Sequence, residues 1–189
     1  YDVIDATAQQ ALHARHPNNV VRLELGLESR EDSPADNRYT RAAALLGDWL
    51  SRGVLRRDPQ PALYFYAIDY HIPFSHSDAA VRTLRGFVSL LELEELGRGG
   101  IFPHEHTRSS AKEDRLRLLE ACKANISPIF SLFSDPGGSI LDLLEKSVNM
   151  DRPRIQFRDD VAYRHRLWTV TDGDVLREVT AAMTAKPLF

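Results

Sequence analysis

A chain of 189 residues, 43% of them hydrophobic, is long enough to bury a core of its own and short enough to be read as a single domain. Its net charge of -3 carries none of the basic excess of a dedicated nucleic-acid or anionic-membrane surface, and no apolar run approaches the roughly eighteen residues of a membrane span. The one cysteine, Cys122, excludes an intramolecular disulfide and a multi-cysteine metal site, so a reducing, cytoplasmic setting is expected, with neither membrane nor nucleic acid as a partner.

Asp5 or Thr7 suits the N-cap of a first helix that runs to about His16 and is ended by Pro17. The period then changes. Val20, Val21, Leu23, Leu25 and Leu27, interrupted by Arg22 and Glu24, read as a strand with one apolar face and one solvated, charged face. Residues 28–37 have loop composition. From Arg38 to Arg52 the positions Ala42, Leu45, Leu46, Trp49 and Leu50 recur at helical steps, predicting an amphipathic core helix that stops at Gly53. Leu63 to Tyr70 follows as a central strand, apolar on both faces, and its connection contains His71 and His76, read as surface residues. Arg82 to Leu93 is expected to pair antiparallel with it, Gly86 marking a close backbone approach or a bulge. Gly97, Gly99 and Gly100 are too irregularly spaced for a dinucleotide fingerprint.

The stretch from Pro103 to Phe130 mixes acid, base, hydroxyl, amide and cation more densely than any other. Ser110 with Glu113 three residues later has the form of a capping box, predicting a helix from Ala111 to about Lys123. On its wheel Leu119, Cys122, Leu118, Ala111 and Leu116 share one arc, and Lys112 and Arg115 fall inside it. Cations in the first two turns oppose the helix dipole by about 0.3 to 1 kcal/mol each, so something must offset them. One solution is an anion held by the helix-start amides, by Lys112 as a point charge and by Arg115 as a fork, bordered by His104, Glu105 and Thr107. The other is an internal acid, Glu105 or another, pairing with Arg115 while Lys112 reaches solvent.

His104-x-His106 beside Glu105 lacks further ligands at characteristic spacing, so no metal is assigned. No Gly-x-Ser-x-Gly elbow supports a hydrolase, and Cys122 reads as a core thiol. Asn125 is placed as the helix C-cap, with Pro128 extending Ser127 and sending Ile129 and Phe130 back across the sheet.

Beyond Phe130, a turn at Asp135-Pro136-Gly137-Gly138 precedes a helix carrying Ile140, Leu141, Leu143, Leu144 and Val148. Residues 150–160 read as a polar connection, Tyr163 to Val170 as a strand, and Val175, Leu176, Val179, Ala182 and Met183 as the apolar side of a last helix. Arg152, Arg154, Arg158, Arg164 and Arg166 near Phe157, Tyr163 and Trp168 have the ingredients of a single-strand nucleic-acid surface, but Asp151, Asp159 and Asp160 favour a solvated loop. Helices and strands mix without strand-helix-strand alternation, which predicts one α+β domain with a mixed or largely antiparallel sheet and about five helices. A start at Tyr1 and a strand-like exit at Lys186-Pro187-Leu188-Phe189 read as a piece of a longer protein.

Pro103-His104-Glu105-x-Thr107, Lys112-x-Asp114-Arg115 and Asn125-x-Ser127-Pro128-Ile129-Phe130 resemble the signature of a bacterial and archaeal family known as domain of unknown function 1015. Tyr1-Asp2-Val3-Ile4, Asn19-Val20-Val21-Arg22-Leu23, Arg85-Gly86 and His165-Arg166-Leu167-Trp168 resemble further blocks in the same order, so the resemblance covers nearly the whole chain. Members continue beyond the point of Phe189 into a Gly-His-His-Arg segment similar to the phosphate-contacting motif of the ParB and sulfiredoxin group, which includes nucleotide-dependent enzymes and free-serine kinases. His106 is outside the family pattern. Together with the helix-face cations, the resemblance implies a nucleotide- or phosphate-dependent small-molecule enzyme of kinase type, with ATP or ADP and Mg as the cofactor class. In that scheme Arg115, Lys112 and Arg85 meet phosphate oxygens, and Glu105 is the general base or magnesium contact. His104 assists proton transfer, and Thr107, Asn125 and Ser127 position the substrate. A non-catalytic nucleotide-sensing or protein-interaction module is the alternative class.

Overall fold

Helical and strand periods in the chain become six helices and four strands in a computed structural model that describes residues 3–71, 81–95, 98–103 and 107–189. The fold is α+β, and its residues group into two compact units, Tyr1–Arg57 with Glu105–Phe130, and Asp58–His104 with Ser131–Phe189.

The first unit is helical. Its opening helix, α1 (Ala6–Arg15), begins where Asp5, in extended backbone, accepts the Ala8 N–H at 2.8 Å. The strand expected over 20–27 is instead a single helical turn, α2 (Val21–Glu24), with Val21 and Leu23 buried. The reason lies in where its backbone groups go. Asn19 Oδ1 accepts the Val21 N–H at 3.1 Å, and Gln9 Nε2 and His13 Nε2 occupy the Leu25 carbonyl at 3.0 and 3.1 Å. Side chains of α1 thus take up an acceptor that a ladder would have used.

The helix α3 (Arg38–Ser51) opens on a capping box between Asn37 and Thr40, buries Ala42 and Trp49, and ends before Gly53, whose φ of 71° needs no Cβ. Leu50, expected in the core, is 48% exposed.

The helix expected within the stretch from Pro103 to Phe130, α4 (Ser109–Cys122), departs from expectation at both ends. It starts two residues early, at Ser109, after an N-cap residue, Arg108, whose side chain makes no capping hydrogen bond, and Glu113 is drawn to Arg117 one turn on rather than back to Ser110, so no capping box forms. It ends at Lys123, not Asn125, in left-handed backbone with φ 50°. Replacing Lys123 with glycine removes the steric cost of that conformation and is expected to stabilise the chain by about 0.5 to 1 kcal/mol, read as a higher urea midpoint.

In the second unit, β1 (Leu63–His71), β2 (Val81–Val88), β3 (Ile155–Arg158) and β4 (Arg164–Val170) form one antiparallel sheet in the order β2-β1-β4-β3. The central place expected for β1 and its antiparallel pairing with β2 are both present, with Phe65 opposite Phe87 and Trp168. Gly86 lies in regular register opposite Tyr66 rather than in a bulge. The second strand is shorter than expected, and Leu90, Leu91 and Leu93 beyond it are exposed. The polar connection expected over 150–160 contains β3, an edge strand whose four residues are all exposed; at that length, set among charged residues, it is too short to announce itself, and it exists because β4 offers it a ladder.

Residues of one sheet parity, Phe65, Ala67, Trp168 and Val170, bury against Ile140 and Leu144 of α5 (Ser139–Lys146) and Val179 of α6 (Gly173–Thr184). Phe65 and Trp168 touch at 5.4 Å between centroids, and Trp168 Nε1 donates to the Asn149 carbonyl at 3.0 Å. The strand-like exit at the chain end is seen as bridges from Leu188 to Ile101 and Phe133. No helix among the described residues is long and apolar enough to cross a membrane.

Candidate functional site

The first unit brings into the lining of an open cavity of about 520 Å³ three groups that the sequence separates widely: Glu24 at the end of α2, Arg115 in the second turn of α4, and Ser127 after it. Its rim is apolar, with Val20 53% and Ile129 91% exposed. A mostly apolar lining with a few polar groups is the composition of a small-ligand site.

Arg115 is drawn inward by a neighbour. Its Nε donates to Asp114 Oδ2 at 2.9 Å, and its Nη2 donates to the same carboxylate oxygen and to the Glu24 carbonyl, the latter at 2.9 Å. Asp114 in turn receives Arg38 Nη2 at 2.5 Å and the Tyr39 hydroxyl at 2.7 Å on its other oxygen, both from the first turn of α3. Burial works against the charge on Asp114, but the hydrogen bonds of Arg115 and Tyr39 and the two guanidinium charges hold its pKa below the ordinary carboxyl value. Burial, and Asp114 as its acceptor, push the Tyr39 phenol up. The acid that offsets Arg115 is therefore its own sequence neighbour.

Glu24 carries the cavity's open chemistry. Its carboxylate accepts the Ser127 hydroxyl, and Arg115 Nη1 stands 4.0 Å from the same oxygen, Oε1. Carboxylate, hydroxyl and guanidinium thus converge where a ligand could enter. Sequence reasoning missed Glu24 because it read the acid as a solvated strand face; the available signal was an acid set inside the apolar run from Val20 to Leu27.

The other expected site residues are distributed as follows. Lys112 is exposed, not on the inward face, because the Asp114 and Arg115 pair turns the helix so that Ala111, Leu118 and Cys122 accompany it inward while Leu116 and Leu119 stand exposed. Thr107 and Asn125 are exposed. Ile129 and Phe130, expected to return across the sheet, are 91% and 69% exposed and belong to the helical unit. His104, Glu105 and His106 lie outside the described residues, as does His76. Arg85 belongs to the second unit, where its Nη1 donates to Glu145 at 2.6 Å and Asp142 at 3.3 Å. Of the expected set, the structure thus gathers Arg115 and Ser127 in one cavity.

Four of the five arginines near Phe157 are committed too. Arg154 forks onto Asp58, Arg164 reaches Gln156, Arg166 meets Asp69 at 2.6 Å and Arg158 meets the Ala162 carbonyl at 3.0 Å. Among the described residues no three His, Cys, Asp or Glu side chains are grouped to hold a metal ion. Cys122 is half-buried, and burial raises its thiol pKa.

The family model described as "Protein of unknown function (DUF1015)" matches residues 1–189. A stretch of 73 residues is 33% identical to the ribosome rescue factor SmrB of Tolumonas auensis, covering 35% of this chain and 41% of that protein. No solved structure matches.

Proposed function

The chain belongs to the family of proteins of unknown function DUF1015, and from its own cavity we propose that it binds a small ligand bearing a hydroxyl and an anionic group, as a phosphate- or nucleotide-dependent enzyme of kinase type. One observation carries the reading: the Glu24 carboxylate, on the cavity wall, already accepts a hydroxyl proton donor, Ser127, beside the Arg115 guanidinium. A substrate hydroxyl taking the place of Ser127 would have a general base at its proton and a cation alongside for a phosphate or carboxylate oxygen. As that hydroxyl oxygen attacks the terminal phosphorus of ATP, its proton goes to Glu24 and ADP leaves. Lys112, Thr107 and Asn125 are exposed on the same unit, and for Glu105 and His104 the roles remain those that the family resemblance implies.

A second reading, a non-catalytic nucleotide-sensing or protein-interaction module, is favoured by the closure of Arg38, Tyr39, Asp114 and Arg115 on one another, which completes the cluster without a ligand.

Titration with inorganic phosphate, ADP and ATP with Mg, followed by turnover with hydroxyl amino acids, separates the two. Arg115→Met is expected to weaken anion binding by about tenfold or more, the contribution of a charged hydrogen bond. Glu24→Gln is expected to retain binding and lose turnover by about 100-fold or more. Binding without turnover in the parent selects the sensing module. A parent chain that neither binds these anions nor turns them over would end both readings.

A further inference from the structure

Where α5 ends, a second open cavity, of about 460 Å³, is lined from three segments: Ser147, Val148 and Asn149 at the end of the helix, Arg152 and Arg154 before β3, and Trp168 and Thr169 of β4. All belong to the sheet unit, and none carries a carboxylate. The volume falls within the range of about 300 to 1,000 Å³ typical of small-molecule pockets.

The polar groups of this lining differ in what they leave unused. Arg154 is committed: its Nη1 and Nη2 fork onto the Asp58 oxygens at 2.7 and 2.6 Å, and Nη1 also donates to Thr169 Oγ1 at 3.0 Å. Asp58 accepts the Tyr64 hydroxyl as well, at 2.5 Å, so the charges of Asp58 and Arg154 answer each other. Arg152 is different. Of the five arginines near Phe157 it alone has, among the described residues, no hydrogen bond or ion pair at its guanidinium. Asn149 Oδ1 accepts the Asp151 N–H at 3.0 Å, which leaves the two hydrogens of Nδ2 to donate. Thr169 Oγ1 accepts from Arg154, which leaves its own hydrogen. Ser147 gives its hydroxyl to the Leu144 carbonyl at 2.7 Å and its N–H to those of Leu143 and Leu144, so helix-end acceptors beside the cavity are already occupied.

The unused groups of the lining are therefore donors, with one uncompensated positive charge among them. Trp168, at 2% exposure, offers no ring face for stacking, so the cavity is built to recognise an anion rather than a flat ring. Its free donors come from three separate segments. A planar carboxylate is satisfied by a single fork, whereas a tetrahedral oxyanion takes donors from several sides.

We propose that this cavity binds the phosphate group of a small phosphate monoester, with the Arg152 guanidinium on its oxygens, Asn149 Nδ2 and the Thr169 hydroxyl beside it, and the rest of the ester in the remaining volume. A nucleic-acid strand suits it less, because such a surface needs a run of free cations and exposed rings, and four of the five arginines here are committed. The site is independent of the Arg115 cavity, whose residues belong to the other unit.

The two tryptophans of the chain, Trp49 and Trp168, provide the readout. The Trp168 indole N–H donates to the Asn149 carbonyl at the cavity, while Trp49 belongs to the helical unit. In the ¹⁵N-labelled full chain at constant ionic strength, inorganic phosphate and ribose 5-phosphate are each expected to move the Trp168 indole signal and the Asn149 and Arg152 amide signals and to leave Trp49 in place. Acetate at the same ionic strength is expected to bind about tenfold more weakly. Arg152→Gln, at an exposed side chain without partners, should weaken phosphate binding by about tenfold or more, the contribution of a charged hydrogen bond. Asn149→Asp keeps the acceptor for the Asp151 N–H but replaces the donor with a negative charge, and should abolish binding. Undiminished binding in either variant, acetate binding as tight as phosphate, no shift at Trp168, or a single-stranded oligonucleotide binding more tightly than ribose 5-phosphate at the same signals overturns the proposal.

Discussion

Replacing Asp114 with alanine is expected to destabilise the helical unit by about 2 to 3 kcal/mol, the low end for breaking a buried ionic cluster because Asp114, Arg38 and Arg115 keep 16%, 23% and 23% of their side-chain exposure. Three groups lose their shared acceptor at once: both guanidinium groups and the Tyr39 hydroxyl. Arg115→Met is expected to cost far less, about 1 kcal/mol, since Asp114 retains Arg38 and Tyr39 and the methionine replaces the apolar stem. Urea midpoints of the two variants give the order directly. Equal losses would mean that Arg115, not Asp114, is the hub.

The same carboxylate sets an acid limb. Its folded-state pKa is lowered, so its stabilisation is complete above the unfolded carboxyl value of about 3.9 and is lost as the pH falls from there through the lower folded value. The stability difference between the parent and Asp114→Ala should therefore shrink across that window and be flat from there to neutrality. A gap that stays constant into strong acid would show that the loss came from packing rather than charge.

Replacing Trp168 with alanine is expected to be the most damaging single change in the sheet unit, at about 3 to 5 kcal/mol. Its side chain is 2% exposed, lies against Phe65, and has Ile140, Leu144 and Val179 in the same core, so truncation opens a cavity that rigid strands cannot close. The indole also supplies the donor for the Asn149 carbonyl. Trp168→Phe separates the two contributions: it keeps an aromatic ring against Phe65 and loses the donor, and is expected to cost about 1 to 2 kcal/mol. Thermal unfolding by circular dichroism measures both, and a Trp168→Ala chain as stable as its parent would place the core elsewhere.

Local periodicity was enough to find α3, β1 as the central strand, β4, α5 and α6, because each has an apolar stripe long enough to outvote its neighbours. It misread residues 20–27, where a four-residue alternation fits a strand face or a single helical turn equally well and the side chains of Gln9, His13 and Asn19 made the choice. It also missed β3, whose exposed Ile155, Gln156, Phe157 and Arg158 become a strand through pairing alone.

The candidate site divides in the same way. The sequence by itself determined that Arg115 and Ser127 lie in a chemically mixed stretch, that a cation faces inward on α4, and that an internal acid was one of two ways to balance it. Only the tertiary structure decided that the acid is Asp114, shared with Arg38 across 76 residues, and that Glu24 meets Ser127 across 103. Helix and strand periods are set by neighbours a few residues apart, whereas a buried charge takes whichever partner the chain topology brings within hydrogen-bond reach, and no spacing rule encodes that.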